Sequence, residues 1–343
     1  MNKEWSDYAY VAMAVAFAIA IAKLLPGALS GAKLWFAAGF SAFAIGLYAY
    51  SMYRQINREA ILLWVFVVSF LLFQPLVQSY YVSMTQPPVM TQNWWHALNW
   101  IRENTSNCSV VATYWDFGHM ITAVAQRPVV FDGASQNALL VINRNDTRVV
   151  RSRIKDIATV LFTSNETEAV DILRNYRIDH CDMYFIASQD LIMKSRWWSY
   201  FSTWDPRTHK GKYYTYGYAV LSDQKLSMDG KTRELDYSMG GAYFRLLLSN
   251  SSAAAYYAVP GRGMAKLKTV LIASKDGFVP FMGNGTMGGY LIVYGQQAVY
   301  VPEELSSSLF TRMFFFDGRG LEKFKLVKSW GNEFKLFKVD FGG

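Results

Sequence analysis

Charge is what this sequence has least of. Only 17% of its 343 residues are Asp, Glu, Lys or Arg, against about 25% in an ordinary soluble domain. Most of the deficit falls in the first 80 residues, which separates an apolar N-terminal part from a more polar remainder. Cysteine is almost absent. Cys108 and Cys181 are the two present, and neither belongs to a CxxC pair, which argues against a zinc ribbon or a thioredoxin-like dithiol. Each precedes an apolar run that reads as a strand, 109–113 and 183–187. A disulfide is feasible if those strands are neighbours, but sequence cannot supply the Cα separation, so the pairing stays open. The chain has no RNP signature, no zinc-finger spacing and no heptads with a basic arm, so its net charge of +8 carries no nucleic-acid motif. The basic residues are scattered, as on a solvated surface. HExxH, P-loop and nucleophile-elbow patterns are also missing.

Three long apolar runs open the chain, at 8–25, 34–52 and 60–77, broken only by Lys23 in the first. Each has the length that a helix needs to cross a hydrocarbon core of ~30 Å. The 53–59 link carries Arg54 and Arg58, whereas the 26–33 link carries only Lys33. The excess of positive charge places 53–59 in the cytoplasm and everything after about Gln78 outside. Six Asn-x-Ser/Thr triplets, starting at Asn104, Asn107, Asn145, Asn165, Asn250 and Asn284, all follow the third run. Their position agrees with that orientation, since such triplets are glycan acceptors only outside the cytoplasm. The expected localisation is the cell membrane, multi-pass, with an extracytoplasmic C-terminal domain.

The outer region alternates helices and strands. Helices are expected at 92–103, 149–162, 166–176 and 191–201, with strands at 109–113, 128–131 and 183–187. Asn165 followed by Glu168 forms a capping box for the third helix. From Lys212 the chain turns richer in Tyr, Gly and Val, and strands become denser, ending in a hairpin over 323–339. The fold class is therefore α/β with N-terminal transmembrane helices: three spans in 1–80, a mixed-sheet α/β domain in 81–211, and a β-rich region in 212–343 packed on it.

The segment Tyr114-Trp115-Asp116-Phe117-Gly118, at a strand end entering a helix, lies where α/β sheets place ligand sites. It resembles the WWDYG signature of oligosaccharyltransferase catalytic subunits, and His119 continues it as in archaeal members. The similarity extends to Arg127 through Gly133, to 158–164 and 166–170, and to the stretch from Leu309 through Asp317 to Phe324. The three spans match the last three of that family, so the resemblance covers nearly the whole chain. It implies the C-terminal portion of an archaeal-type enzyme that transfers a glycan from a lipid-linked, dolichol-type donor to Asn in Asn-x-Ser/Thr.

Carried over residue by residue, Asp116 accepts the hydroxyl proton of the acceptor Ser/Thr and Trp115 donates to the same oxygen. Tyr114 stands for the usual first Trp and Phe117 for Tyr, with Gly118 closing the turn. A second family motif maps to Asp190 and Met193, expected on one helix face with Trp197. His119 and Gln136 match positions near the donor pyrophosphate, and Lys23 or Lys33 would add positive charge for it. The family's catalytic acids and their divalent metal (Mg or Mn) belong to earlier spans. The first 80 residues hold only Glu4, Asp7 and Glu59, all assigned to the cytoplasmic side. The expectation is thus no catalytic residue, metal site or bound cofactor in this chain. The expected partners are an acceptor peptide, a lipid-linked oligosaccharide, the membrane and a chain carrying the missing spans. The competing reading is a non-catalytic, membrane-anchored sequon-binding or scaffold protein of the same descent.

Overall fold

The computed structural model describes residues 77–85, 90–144, 147–227, 230–261, 263–275 and 277–342. The chain divides into two units, Met1–Val89 and Met90–Gly343. In the first unit, residues 77–85 form a helix. The three expected spans lie almost wholly outside the described residues, and so do Lys23 and Lys33. Among the described residues no helix is long and apolar enough to cross a membrane.

The second unit opens with helix α1 (Gln92–Asn104) and strand β1 (Val110–Ala112). Thr91 caps α1 by accepting the Trp94 N–H, and Trp94, Ala97, Leu98 and Ile101 form its buried stripe. A hairpin follows, β2 (Leu139–Arg144) with β3 (Thr147–Ser152), then helices α2 (Arg153–Phe162) and α3 (Glu166–Arg174). The expected helix over 149–162 thus starts later, because Val149 and Val150 pair with β2 instead. Asn165 caps α3 through the N–H groups of Thr167 and Glu168. The return half of the box is relayed: Asn165 N–H donates to Thr163, whose hydroxyl donates to Glu168.

Strand β4 (Met183–Ser188) is buried on both faces, as a strand covered by helices on each side must be. Helices α4 (Asp190–Met193) and α5 (Ser195–Ser202) replace the single helix expected there. Lys194 breaks it, and the break is stabilised by Ser195 Oγ donating to Ile192 O and the Trp198 indole donating to Leu191 O. No strand forms at 128–131. Val129 makes one bridge to Val111, because Pro128 has no N–H to extend a ladder.

Eight strands follow: β5 (Gly217–Leu226), β6 (Arg233–Met239), β7 (Ala242–Leu248), β8 (Ala253–Val259), β9 (Gly263–Ser274), β10 (Gly277–Met282), β11 (Met287–Tyr294) and β12 (Gln297–Val301). The sheet runs β10-β9-β11-β12-β5-β6-β7-β8 and closes through a β8–β9 pairing. Strand β9 is long enough to pair with β8 near its start and β10 near its end, while β11 lies parallel along its other edge. Closure removes most free edges, and Tyr237, Phe244, Leu246, Leu267 and Leu291 fill the interior.

Helix α6 (Leu309–Phe316) then leads to the hairpin β13 (Phe324–Trp330) and β14 (Phe334–Val339). This hairpin does not join the β-rich sheet, as the sequence boundary at 212 implied. It returns to the first sheet, whose order is β1-β4-β14-β13. Residue alternation splits that sheet cleanly. Met183, Phe185, Phe337 and Val339 face the core with α2, α3 and α6, whereas Tyr184, Ile186, Phe334 and Leu336 face α1.

β1 and β4 run parallel, with Val110 opposite Met183. Two residues upstream on each strand stand Cys108 and Cys181, which form a disulfide with Cα atoms 5.7 Å apart. The bridge spans 73 residues of chain, and closing such a loop restricts the unfolded state. Replacing both cysteines by Ser should lower unfolding free energy by about 2–4 kcal/mol. A denaturant midpoint that does not move would contradict this.

Candidate acceptor-binding site

The Tyr114–Gly118 segment sits just beyond the C-terminal end of β1. Its backbone winds through a 3-10 turn (Trp115–Phe117), an α turn (Gly118–Met120) and a π turn (Ile121–Ala125). Gly118 is dictated by space. A Cβ there would lie 2.5 Å from the Phe131 carbonyl oxygen and 2.6 Å from the Asp132 Cβ, so the 131–132 backbone could not approach. Phe117 is buried and stacks on Trp94, ring centroids 3.9 Å apart, which pins the turn to α1. Tyr114 is buried against Phe131. Burial, together with the charge of Asp116, pushes its phenol pKa well up despite a hydrogen bond from the Trp115 side chain. Tyr114 is therefore a neutral core residue at any ordinary pH. Trp115 is half-buried at the edge of the same core.

Asp116 points to the second segment. Lys194 forms an ion pair with Asp116 Oδ2 and another, at 2.8 Å, with Asp190 Oδ2. All three side chains are about one quarter exposed. The Lys194 ammonium also lies 5.0 Å from the Phe117 ring centroid. Burial pulls the Lys194 pKa down, but the Asp190 charge and the hydrogen bonds to Asp116 and Asp190 outweigh it, so the net shift is upward. One oxygen of each carboxylate, Asp116 Oδ1 and Asp190 Oδ1, is buried with no hydrogen-bond partner. Buried oxygens of this kind are uncommon and call for a donor.

The structure therefore brings Asp116 and Asp190 together through a residue that the sequence reading did not place in the site. The i, i+4 spacing of Asp190 and Lys194 was visible in the sequence, but the reach to Asp116 was not. Met193 and Trp197 do not join the cluster as members of one helix face with Asp190. The break at Lys194 leaves them 72% and 50% exposed. His119 lies beside Asp132, Nδ1 to Oδ2 3.3 Å, with its ring 60% exposed. The Ser135 hydroxyl, hydrogen-bonded to Asp132, is the largest of the effects holding that carboxyl below its usual range. Gln136 falls in the turn that follows.

The described residues contain no group of three or more His, Cys, Asp or Glu able to hold a metal. The Asp116–Asp190 pair does not suit one either, since the Lys194 ammonium stands between its oxygens. What the arrangement offers is a pair of positioned carboxylates able to accept hydrogen bonds.

No family model matches the chain. Two curated proteins named dolichyl-phosphooligosaccharide-protein glycotransferase are similar to it. The one from Methanocaldococcus jannaschii is 24% identical over 76% of this chain, and the one from Methanococcus voltae 21% over 74%. The glycotransferase 2 of Pyrococcus furiosus is 33% identical over 31% of the chain. Homologues of this name thus cover about three quarters of the sequence, at the level of the resemblance drawn from Tyr114–Gly118. The chain spans a little over a third of the first two relatives, 36% and 38%. Among solved structures, the C-terminal domain of C. jejuni pglb superposes with a TM-score of 0.47 at 12% identity, covering 72% of this chain and 99% of that one. An Archaeoglobus fulgidus oligosaccharyltransferase tethered to a peptide with the NVT sequon gives 0.40 at 15% identity, covering 85% and 31%.

The raised Lys194 pKa fixes a pH signature. A cation whose folded pKa lies above its unfolded value, near 10.5, stabilises fully below that value and loses the contribution as pH rises through the folded one. Lys194→Met should cost about 1–3 kcal/mol at neutral pH, and the gap in Tm from the wild type should narrow only above about pH 10.5. A gap that closes between pH 6 and 9, or never exists, would contradict the ion-pair assignment.

Proposed function

We propose that this chain is the acceptor-reading portion of a membrane oligosaccharyltransferase. It recognises Asn-x-Ser/Thr so that a glycan can pass from a lipid-linked, dolichol-type donor to the Asn. The observation that carries this reading is the Asp116 carboxylate at the end of β1, held by Lys194 and left with one unpaired oxygen. A hydroxyl at the third position of the triplet donates to that carboxylate, whose side chain is 25% exposed. The ion pair with Lys194 holds the carboxylate in place as a hydrogen-bond acceptor. A peptide with Ala in that position gives the carboxylate nothing, and sites built this way reject analogues that lack the hydroxyl. Trp115 and Met193, partly or well exposed, are proposed to border the same peptide.

His119 and Gln136 are proposed to face the donor pyrophosphate. The metal-assisted chemistry would come from residues other than those described, in the same polypeptide or in a partner chain. The disulfide supports an extracytoplasmic placement, since such bonds persist in oxidising compartments. The three apolar runs in 1–80 support a membrane anchor.

The test is binding of the detergent-solubilised full chain to an Asn-x-Thr peptide and to its Asn-x-Ala counterpart. Selective binding is expected, with about a tenfold or greater preference for Thr, and Asp116→Ala should abolish the preference. Equal binding of the two peptides by the wild-type chain would overturn the reading and favour a scaffold of the same descent.

A further inference from the structure

A cleft of about 500 Å³ lies between the β-barrel and the α/β layer. It is bordered by Gln189, just before α4, and by Ile192 within α4, and Asp116, Asp190 and Lys194 are not among its lining residues. Its size is within the range of about 300–1,000 Å³ usual for small-ligand sites.

The lining has a definite chemistry. Lys335 is buried on that side of β14, with its side chain 9% exposed. Its ammonium donates to the Phe314 carbonyl at 2.6 Å and to Asp317 Oδ1 at 2.5 Å. That pair forms a fixed, electrically balanced floor. Arg319 is different. It lies on the surface of the same cleft, its guanidinium 3.1 Å from where a Cβ on Gly277 would stand. Among the described residues no acceptor engages it. Gln189, Gln297 and Asn332 are exposed along the rim, and each amide offers a donor and an acceptor together. Tyr218, Phe278 and Tyr294 supply apolar ring surface.

We infer that this cleft binds a saccharide carrying a carboxylate, that is, a hexuronate unit. Adjacent hydroxyls of a sugar ring each donate and accept, which is what paired amides satisfy. The C–H faces of the ring are apolar and suit aromatic walls. The open guanidinium fork of Arg319 fits a planar carboxylate through two parallel hydrogen bonds. A neutral saccharide would leave that fork unpaired. Such a saccharide reaches the cleft either on a lipid carrier or on a protein, and the chemistry of recognition is shared. The inference does not depend on the Asn-x-Ser/Thr reading, since Arg319, Gln297 and Asn332 lie outside the segments that carry Asp116 and Lys194.

The test is calorimetric titration of the detergent-solubilised full chain with a hexuronate trimer, a neutral hexose trimer and inorganic phosphate. Saturable binding of the hexuronate trimer is expected, weakened about tenfold by Arg319→Gln and partly restored by Arg319→Lys. Gln297→Ala should weaken hexuronate and leave phosphate unchanged. Equal binding of the neutral trimer, binding of phosphate alone, no binding, or an unaltered Arg319→Gln variant would each overturn the inference. The same saccharide attached to a lipid pyrophosphate and to an Asn peptide then separates the two sources by relative affinity.

Discussion

Hydrogen bonds between β1 and β4, registered from Val110–Met183 to Ala112–Phe185, make the two strands run the same way, with β1 ending opposite Phe185 and β4 continuing to Ser188. Parallel pairing has that consequence whatever the connection between them: both C-terminal ends open on one edge of the sheet, where α/β proteins hold ligands. The turn after β1 carries Asp116 and the helix after β4 carries Asp190. Two carboxylates brought to one edge repel each other unless a cation stands between them, and Lys194 is that cation. The Cys108–Cys181 bridge sits two residues before the first registered pair and fixes the same alignment covalently. Slippage of β1 along β4 would separate the aspartates and turn the Val111 side chain toward the wrong layer.

The barrel is an insertion in this design. The chain leaves the α/β layer after α5, builds seven strands into a closed ring with β10 along β9, and returns through α6 to add β14 against β4. Insertion is tolerated where the two ends of the inserted part are close together. Here they are hydrogen-bonded to each other, since β5 pairs with β12 from Gly217–Tyr300 to Val220–Gln297. The cleft bordered by Arg319 and Gln297 is a product of that arrangement, lying where barrel and α/β layer meet.

Much of the α/β layer was legible in the sequence because its signals are local. The apolar stripe of 92–103, the Asn165 cap and the apolar runs after each cysteine all speak within a dozen residues. Misplaced elements trace to competition between levels. Val149 and Val150 fitted a helical pattern but were drawn into a hairpin, and the helix expected over 191–201 breaks at Lys194, where the Trp198 indole bonds Leu191 O. The return of the final hairpin to the first sheet could not be read locally, because β-pairing partners about 150 residues apart leave no spacing signal. The site was legible in part. Tyr114–Gly118 stood out by composition and position, and the close approach that makes Gly118 obligatory became visible only in three dimensions. The i, i+4 spacing of Lys194 from Asp190 is local, whereas its second bond to Asp116 depends on the β1–β4 register.

The central claim is that Asp116 and Asp190 form one site through Lys194. A double-mutant cycle of Asp116→Asn and Lys194→Met, read as unfolding free energy of the full chain at neutral pH, measures it most directly. The account predicts a coupling of about 1–3 kcal/mol, with a comparable coupling for Asp190→Asn. Additivity of the two substitutions within about 0.5 kcal/mol would mean that Lys194 does not join the aspartates in solution, and the site as described would not exist.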